Sequence, residues 1–202
     1  MLQKDIVDFV LKVEEISKVG LLYSKDPYAI DNYLELQERA KAFLADKMES
    51  PLQGENFFQR DIYPTPNVSV RTVVFNPERT KVLLVQEKLD GGYSLPGGWT
   101  ELTLSPSQSA LKELREEAGI EAELIKLVGV FDRYHKCKTT GIPEYMIVFE
   151  GKETNKISAP CQEIIRADYF SLNQLPAWSK KNSPDQMLKV LALAKDGKVS
   201  FD

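Results

Sequence analysis

The sequence is poor in the residues that build zinc, disulfide and histidine-based sites. Its 202 residues include one histidine, His135, and two cysteines, Cys137 and Cys161, which lie far apart and outside any paired motif. This pattern argues against a disulfide framework and against a structural zinc site. A chain that needs no disulfide suits a reducing compartment, so we expect a cytoplasmic protein.

Long apolar runs and an excess of positive charge are missing as well. No stretch approaches the roughly 18 apolar residues of a membrane-spanning helix, and Asp5 stands early where a signal peptide is apolar. The formal net charge is −4, from 26 Lys and Arg against 30 Asp and Glu. We therefore expect no membrane partner, no export by that route and no nucleic-acid partner, because phosphate backbones are bound by basic surfaces.

Composition and length are those of an ordinary globular protein. Apolar residues make up 43% of the chain and charged residues 28%. This composition and length suit one large domain, or a domain of about 130 to 140 residues with an appendage. Periodicity fades after Glu49, and prolines recur at Pro51, Pro64 and Pro66. We predict an N-terminal helical extension over 1–62 and a second domain over 63–202.

The N-terminal extension has the pattern of two amphipathic helices. Apolar residues recur at helical spacing over 5–18, and Gly20 is expected to stop the first helix. Asp26 and Pro27 begin a second helix, which continues to about Lys47. Two short helices cannot bury both apolar faces alone. They are expected to pack on each other, and on the downstream domain or a second copy of the chain.

Strand patterns prevail in the second domain. Helices are predicted to begin at Pro106 and Pro184, each after a serine that starts a Ser-x-x-Gln capping box. Strands before and after a single helix predict an α+β fold, an αβα sandwich with a mixed sheet. The predicted strands are β-branched or apolar stretches at 68–75, 81–86, 93–95, 124–131 and 145–150.

The helix that begins at Pro106 carries three glutamates on one face. Glu113, Glu116 and Glu117 are three and four positions apart, so their carboxylates project close to each other. Like charges this close favour a divalent cation between them, and Mg²⁺ prefers oxygen ligands. A solvated acidic face is the alternative. The Gly97-Gly98 turn before the helix favours a loop-helix-loop metal site.

This loop and helix resemble the motif of the Nudix hydrolases, Gly-x5-Glu-x7-Arg-Glu-apolar-x-Glu-Glu-x-Gly-apolar. Two positions depart from it. Leu104 stands where the family has its first glutamate, and Lys112 stands where it has arginine. Lysine keeps the charge but lacks the planar fork of arginine. The positions that match in register are Gly98, Glu113, Leu114, Glu116, Glu117, Gly119 and Ile120.

The resemblance implies a pyrophosphohydrolase that depends on Mg²⁺, with Mn²⁺ as the alternative ion. It implies that Glu113, Glu116 and Glu117 hold the metal and that backbone groups of Gly97 approach the same ions. Glu116 and Glu117 are thereby catalytic residues as well.

A further carboxylate, from a loop outside the helix, is expected to take the proton of the attacking water. Glu163 is the first candidate, because the segment 163–170 resembles the family's glutamate shortly before a Phe-rich strand. Glu144 and Glu101 are the alternatives, and a solvent-exposed acid without a role is another.

Basic and aromatic residues flank the predicted site. Arg71 and Arg133 are candidates for binding the phosphates, because a guanidinium can match two oxygens at once. Tyr93, Trp99 and Phe131 are candidates for stacking on a nucleobase. Packing in the core or at its rim is the alternative for each ring.

The segment 20–28 resembles the helical N-terminal extension of one Nudix subfamily, which splits nucleoside-diphosphate-linked compounds such as CDP-choline. It implies cleavage of CDP-choline to CMP and phosphocholine, with ADP-ribose as the nearest alternative, and a homodimer built partly through the N-terminal helices. Because Leu104 and Lys112 break the motif, a catalytically weakened nucleotide-binding or regulatory protein is the alternative from another class.

Overall fold

The computed structural model describes residues 4–47, 65–101, 103–135, 143–157 and 163–202. Internal contacts divide the chain into two compact units, Met1–Pro66 and Asn67–Asp202. The predicted domain boundary between residues 62 and 63 lies outside the described residues and stays a prediction. No helix in the described ranges combines the length and the apolar character needed to cross a membrane.

The N-terminal unit is a pair of helices, α1 (Lys4–Tyr23) and α2 (Pro27–Lys47). The prediction that Gly20 stops the first helix is wrong, because α1 continues to Tyr23. A Cβ atom at Gly20 would lie 2.4 Å from Cζ of Tyr33. The glycine therefore leaves room for a ring of the second helix and does not end the first.

Polar contacts join and cap the two helices. Oε1 of Glu14 accepts a hydrogen bond from Nε2 of Gln37 at 3.2 Å, across the helix pair. At the start of α2, Oδ1 of Asp26 accepts the N–H of Tyr28 at 3.3 Å. The predicted cap and the predicted packing of the two helices on each other are both confirmed.

The described part of the second unit contains seven strands and two helices. They are β1 (Asn67–Val74), β2 (Lys81–Glu87), β3 (Tyr93–Ser94), α3 (Pro106–Ala118), β4 (Ile120–Asp132), β5 (Glu144–Lys156), β6 (Ile164–Ser171), α4 (Pro184–Asp196) and β7 (Ser200–Phe201). One sheet has the order β1-β5-β4-β7 and is mixed, since β1 runs parallel to β5 and β4 antiparallel to it. The other, β3-β2-β6, is antiparallel.

The two helices cover opposite faces of the sheets. Val73 belongs to a core cluster with Met187 and Leu191 of α4, whereas Val74, the next residue of β1, belongs to a second cluster with Leu114 of α3. Neighbouring residues of a strand point to opposite faces, so α3 and α4 lie on different sides. This arrangement confirms the predicted α+β sandwich with a mixed sheet.

Helix α3 is fixed at both ends. Oγ of Ser105 accepts the N–H of Gln108 at 3.2 Å, and Oε1 of Gln108 accepts the N–H of Ser105 at 2.9 Å. Gly119 ends the helix in the left-handed conformation. The capping box predicted for α4 is only half formed, because the side chain of Gln186 donates to the carbonyl oxygen of Asp132 at 3.0 Å instead.

Candidate active site

The loop that carries the two glycines lies along β1. The N–H of Val70 donates to the carbonyl oxygen of Gly98 at 2.9 Å, and the N–H of Thr72 donates to that of Pro96 at 2.9 Å. Gly97 has a φ of +145°, and a Cβ there would lie 2.1 Å from the carbonyl oxygen of Val70. Only glycine fits at this point, so the loop is held as a strand-like segment beside β1.

The same loop contacts two of the three α3 carboxylates. The N–H of Gly97 donates to Oε2 of Glu117 at 2.8 Å. A Cβ atom at Gly98 would lie 2.7 Å from Oε1 of Glu113, so the second glycine leaves room for that carboxylate. The structure therefore brings together three of the four predicted metal-site residues, Gly97, Glu113 and Glu117.

Desolvation outweighs the nearby positive charges at both of these carboxylates. Glu117 is 8% exposed, and burial raises its pKa to about 7 although the Gly97 N–H and Arg71 act in the opposite direction. Burial also raises the pKa of Glu113. Partly or fully buried acids that are costly to ionise form a donor set that a hard divalent cation stabilises. The residues present therefore fit the metal that the sequence predicts.

Glu116 is turned towards a lysine of its own helix. Its Oε2 lies 2.8 Å from Nζ of Lys112, which also lies 2.9 Å from Oε1 of Glu101. Within the described residues, no three His, Cys, Asp or Glu side chains are gathered closely enough to hold a metal as they stand. The predicted trio shares one side of α3, but its third member is paired elsewhere.

Arg71 lies on β1 next to the glutamates. It is 4% exposed, and burial, with the nearby Arg133 as a second cause, lowers its pKa, whereas Glu117 and other acids favour its charge. Its Nη1 donates to the carbonyl oxygen of Val70 at 2.8 Å, while its Nε has no hydrogen-bond partner. The guanidinium is therefore a buried cation with spare donor capacity beside the candidate metal ligands.

Arg133 is held by partners on two sides. Its Nη1 donates to Oε1 of Glu144 at 2.7 Å, and its Nη2 donates to the carbonyl oxygen of Lys181. Glu144 is 1% exposed and also accepts a hydrogen bond from Ser69. Since both of these partners engage its Oε1, Glu144 serves as the counter-ion of Arg133. This pairing argues against Glu144 as the base, and that alternative stays a prediction.

The three aromatic candidates have different surroundings. Tyr93 and Phe131 are buried in the core cluster that includes α4, and the Tyr93 hydroxyl accepts a hydrogen bond from Nη2 of Arg166 at 2.6 Å. This burial argues against stacking of their rings on a nucleobase, and the role of both residues stays a prediction. Trp99 directly follows the glycines and is 50% exposed, so its ring is open to solvent at the edge of the site.

Glu163 immediately precedes β6. Its side chain is exposed, and its carbonyl oxygen accepts the N–H of Lys88 at 3.1 Å. The next residue, Ile164, belongs to the core cluster that contains Leu114 of α3. Glu163 therefore borders the sheet face that α3 covers, and its role as a base stays a prediction. Glu101, the other alternative, is paired with Lys112.

One charged pair at the site escaped the sequence analysis. Glu87, the last residue of β2, is buried, and its Oε1 lies 2.5 Å from Nζ of Lys181. Glu87 also favours the charged form of Arg71. The only signal in the sequence was a single acid at the end of an apolar strand, which does not reveal a partner almost one hundred residues away.

The comparisons with known proteins agree with this geometry. The family model described as NUDIX domain matches residues 65–191, a range that includes the glycine loop, α3 and both arginines. The protein YjhB of Bacillus subtilis (strain 168), named provisionally as an ADP-ribose pyrophosphatase, is 33% identical over 202 residues, which cover 95% of this chain and 94% of that protein.

Two solved structures extend the comparison. The crystal structure of a UDP-X diphosphatase has a TM-score of 0.63 at 26% identity and covers 100% of this chain and 99% of its own. An ADP-ribose pyrophosphatase from Streptococcus suis 89-1591 has a TM-score of 0.59 at 27% identity, with 68% of this chain and 100% of its own covered. Because the family model spans well over half of the chain and the Bacillus relative is matched along nearly its full length, this chain belongs to the Nudix hydrolase family.

Proposed function

We propose that this Nudix hydrolase is a pyrophosphohydrolase that splits a nucleoside diphosphate linked to a second group, releasing a nucleoside monophosphate and a phosphorylated product. The observation that carries the proposal is the hydrogen bond from the Gly97 N–H to the buried carboxylate of Glu117. It fixes an acidic helix against a glycine loop next to the buried Arg71, so acids for a cation and a donor for phosphate oxygens lie side by side.

The metal ligands in this proposal are Glu113, Glu116 and Glu117, with Mg²⁺ as the ion and Mn²⁺ as its substitute. The chemistry that Mg²⁺ supplies when bound is neutralisation of phosphate charge and activation of water. Support comes from the partial burial of Glu113 and the full burial of Glu117, which raise the pKa of both carboxylates. Backbone groups of Gly97 are expected at the same site.

Two arginines are proposed to bind the diphosphate. Arg71 has a buried guanidinium with an unpartnered Nε, and charged acceptors form the strongest hydrogen bonds with such a group. A cation bound at Glu117 would offset one of the acids that favour the charge of Arg71. Arg71 would then be available to bind an anionic substrate. Arg133, held by Glu144, is proposed to act beside it.

The proton of the attacking water is proposed to pass to Glu163. Glu163 is exposed and borders the sheet face that α3 covers, so its carboxylate is accessible to a water molecule. Glu144 and Glu101 are less suitable, because both are engaged with basic side chains. Trp99 is the ring available to contact a nucleobase, since half of it is exposed.

The identity of the second group is best sought among three compounds. The resemblance of the segment 20–28 to a subfamily that hydrolyses CDP-choline favours CDP-choline, which would give CMP and phosphocholine. The names of the Bacillus and Streptococcus relatives favour ADP-ribose, and that of the diphosphatase structure favours a UDP-linked compound. All three share the diphosphate that the arginines are proposed to bind.

The experiment is a turnover assay with an inactive variant. The protein is incubated with Mg²⁺ and CDP-choline, ADP-ribose, UDP-sugars or nucleoside triphosphates, and nucleoside monophosphate is quantified by chromatography. Turnover that Glu117→Gln abolishes, and that Glu121→Gln on the exposed edge of β4 leaves intact, supports the hydrolase. If neither the unsubstituted protein nor Glu121→Gln releases nucleoside monophosphate, the hydrolase proposal is contradicted.

A second candidate function is a binding or regulatory protein with little turnover. It is favoured by the pairing of Glu116 with Lys112 and by the absence of a carboxylate at Leu104. Saturable nucleotide binding without monophosphate release in the same assay supports this alternative.

The quaternary state and location complete the proposal. We expect a cytoplasmic homodimer built partly through the N-terminal helices, supported by the exposed apolar side chains of Phe9 and Ile16 on α1. Gel filtration should give twice the chain mass of 22.9 kDa, and elution at the mass of one chain contradicts the dimer.

A further inference from the structure

Lys112 connects the glycine loop to the acidic helix. Its Nζ lies 2.9 Å from Oε1 of Glu101, on the loop after the glycines, and 2.8 Å from Oε2 of Glu116, one turn further along α3. A lysine ammonium is a compact cation with three donors, so it can serve two carboxylates at once. Each acid is about half exposed, so the pairings can exchange.

The ion pair with Lys112 involves one proposed metal ligand, Glu116, and neither of the other two. Glu117 is fixed by the Gly97 N–H, and Glu113 lies against Gly98. Glu116 alone has a cationic side chain hydrogen-bonded to its carboxylate, which explains why no three acids are gathered in the described residues. A cation that is to be held by all three glutamates must draw Glu116 away from Lys112, or share it.

The loop acid that Lys112 contacts lies next to both departures from the family motif. Position 104 is a leucine, but the N–H of Leu104 donates to the carbonyl oxygen of Glu101 at 3.2 Å, and the side chain of this earlier glutamate contacts Lys112 on the helix. Glu101 thus supplies the loop with a carboxylate that position 104 lacks. Lysine, which reaches both acids as a point charge, replaces the forked arginine.

We propose that Lys112 is a positioning residue that holds Glu116 until a divalent cation takes this carboxylate, and that Glu101 retains Lys112 when the exchange occurs. The loop then stays attached to α3 in both states, through the pair of Glu101 and Lys112. The inference rests on the proposed function only in placing a divalent cation at Glu116, and it requires no particular nucleotide.

The test measures Mn²⁺ binding to the purified full chain without nucleotide, by electron paramagnetic resonance of the free ion. Lys112→Met should tighten Mn²⁺ binding about two- to fivefold, the range expected when an exposed ion pair no longer competes. Glu101→Gln should weaken Mn²⁺ binding, because Lys112 then has only Glu116 as its partner and competes more strongly with the ion for that carboxylate. In the Lys112→Met background, Glu101→Gln should have little further effect.

A matched control separates this exchange from a general change of charge. Arg115, exposed in the last turn of the same helix, is replaced in Arg115→Met. An equal tightening in Arg115→Met and Lys112→Met overturns the proposal, because long-range charge then explains both. The proposal is also overturned if Glu101→Gln changes the Mn²⁺ affinity equally in the unsubstituted protein and in the Lys112→Met background.

Rescue and turnover give two further readouts. Lys112→Arg should restore Mn²⁺ affinity to near the unsubstituted value, and failure to do so counts against a role for the cationic group. If Mn²⁺ binding responds as expected while no nucleotide is hydrolysed, the inference holds and the proposed hydrolase activity fails. If Mn²⁺ does not bind at all, the inference fails.

Discussion

The N–H of Gly97 lies 2.8 Å from Oε2 of Glu117, twenty positions along the chain. This bond joins a loop that runs beside β1 to the buried end of α3. The φ of +145° and the clash that a Cβ atom would make with the carbonyl oxygen of Val70 explain why the loop needs glycine at this point. Loop geometry and the position of one proposed metal ligand are therefore coupled.

Gly97→Ala should both destabilise the protein and reduce its activity. A Cβ 2.1 Å from the carbonyl oxygen of Val70 forces the loop away from β1, at a cost of about 3 kcal/mol or more in the free energy of unfolding. Chemical denaturation monitored by circular dichroism measures this cost. Metal affinity should also fall, because Glu117 loses the donor that orients it.

Gly91→Ala is the matched control for that substitution. Gly91 also has a positive φ, +70°, but a Cβ there meets nothing within 4 Å. Gly91→Ala should lower the free energy of unfolding by only about 1 kcal/mol, the cost of placing alanine in a left-handed backbone conformation. Equal losses in the two variants would mean that the contact with Val70 does not matter.

The two acids Glu144 and Glu163 should respond differently to neutralisation. Glu163→Gln should lower kcat about 100-fold or more if this carboxylate accepts the proton of water, and the melting temperature should not change, because the side chain is exposed. Steady-state kinetics and thermal melting measure the two effects. A kcat within a factor of about two of the unsubstituted protein rejects Glu163 as the base.

Glu144→Gln should instead destabilise the fold. It leaves the buried Arg133 without its charged partner, at a cost of about 3 kcal/mol. Activity should fall together with the melting temperature. An unchanged melting temperature with lost activity would show that Glu144 contacts the reacting groups, contrary to its structural pairing.

The sequence predicted the parts of this fold that depend on local signals. The capping box of Ser105 and Gln108 and the left-handed Gly119 fixed the limits of α3, because each rule involves residues a few positions apart. Stretches of β-branched or apolar residues likewise predicted the central strands. The prediction that Gly20 stops the first helix was wrong, since the role of this glycine depends on Tyr33 of the neighbouring helix.

Only the features of the site that depend on residue spacing along one helix could be predicted from the sequence. Glu113, Glu116 and Glu117 follow from that spacing, but it does not reveal that Lys112 draws Glu116 towards Glu101. Tyr93 and Trp99 are both aromatic residues near the glycines, yet one is buried and the other half exposed. Such differences are set by tertiary packing, which no local pattern encodes.

Glu150 should make the stability of the fold depend on pH. Burial disfavours its charge, but hydrogen bonds from Arg79 and Lys126 outweigh this effect and lower the pKa of Glu150. The nearest distances are 2.5 Å to Nη1 of Arg79 and 3.3 Å to Nζ of Lys126. A carboxylate with a lowered folded-state pKa stabilises the fold above its unfolded pKa, about 4.3, and this stabilisation is lost as pH falls through the folded pKa.

Glu150→Gln should therefore be less stable than the unsubstituted protein at pH 7, and the difference should shrink below about pH 4. Urea denaturation at a series of pH values measures it. Glu121→Gln, at an exposed position of β4, is the control and should show no such convergence. A difference that stays constant from pH 7 to pH 3 would mean that the charge of Glu150 contributes nothing.

Substitutions of Trp99 and Tyr93 test which aromatic side chain contacts the substrate. Trp99→Ala should raise KM about tenfold, because stacking of a base on an aromatic ring is worth about 1 to 3 kcal/mol, and it should leave the melting temperature nearly unchanged. Tyr93→Phe removes only the hydroxyl that accepts from Arg166. It should lower stability by about 1 kcal/mol without changing KM. Steady-state kinetics and thermal melting on both variants test these roles. An unchanged KM in Trp99→Ala would remove Trp99 from the substrate site, and a raised KM in Tyr93→Phe would show that the Tyr93 hydroxyl contributes to substrate binding.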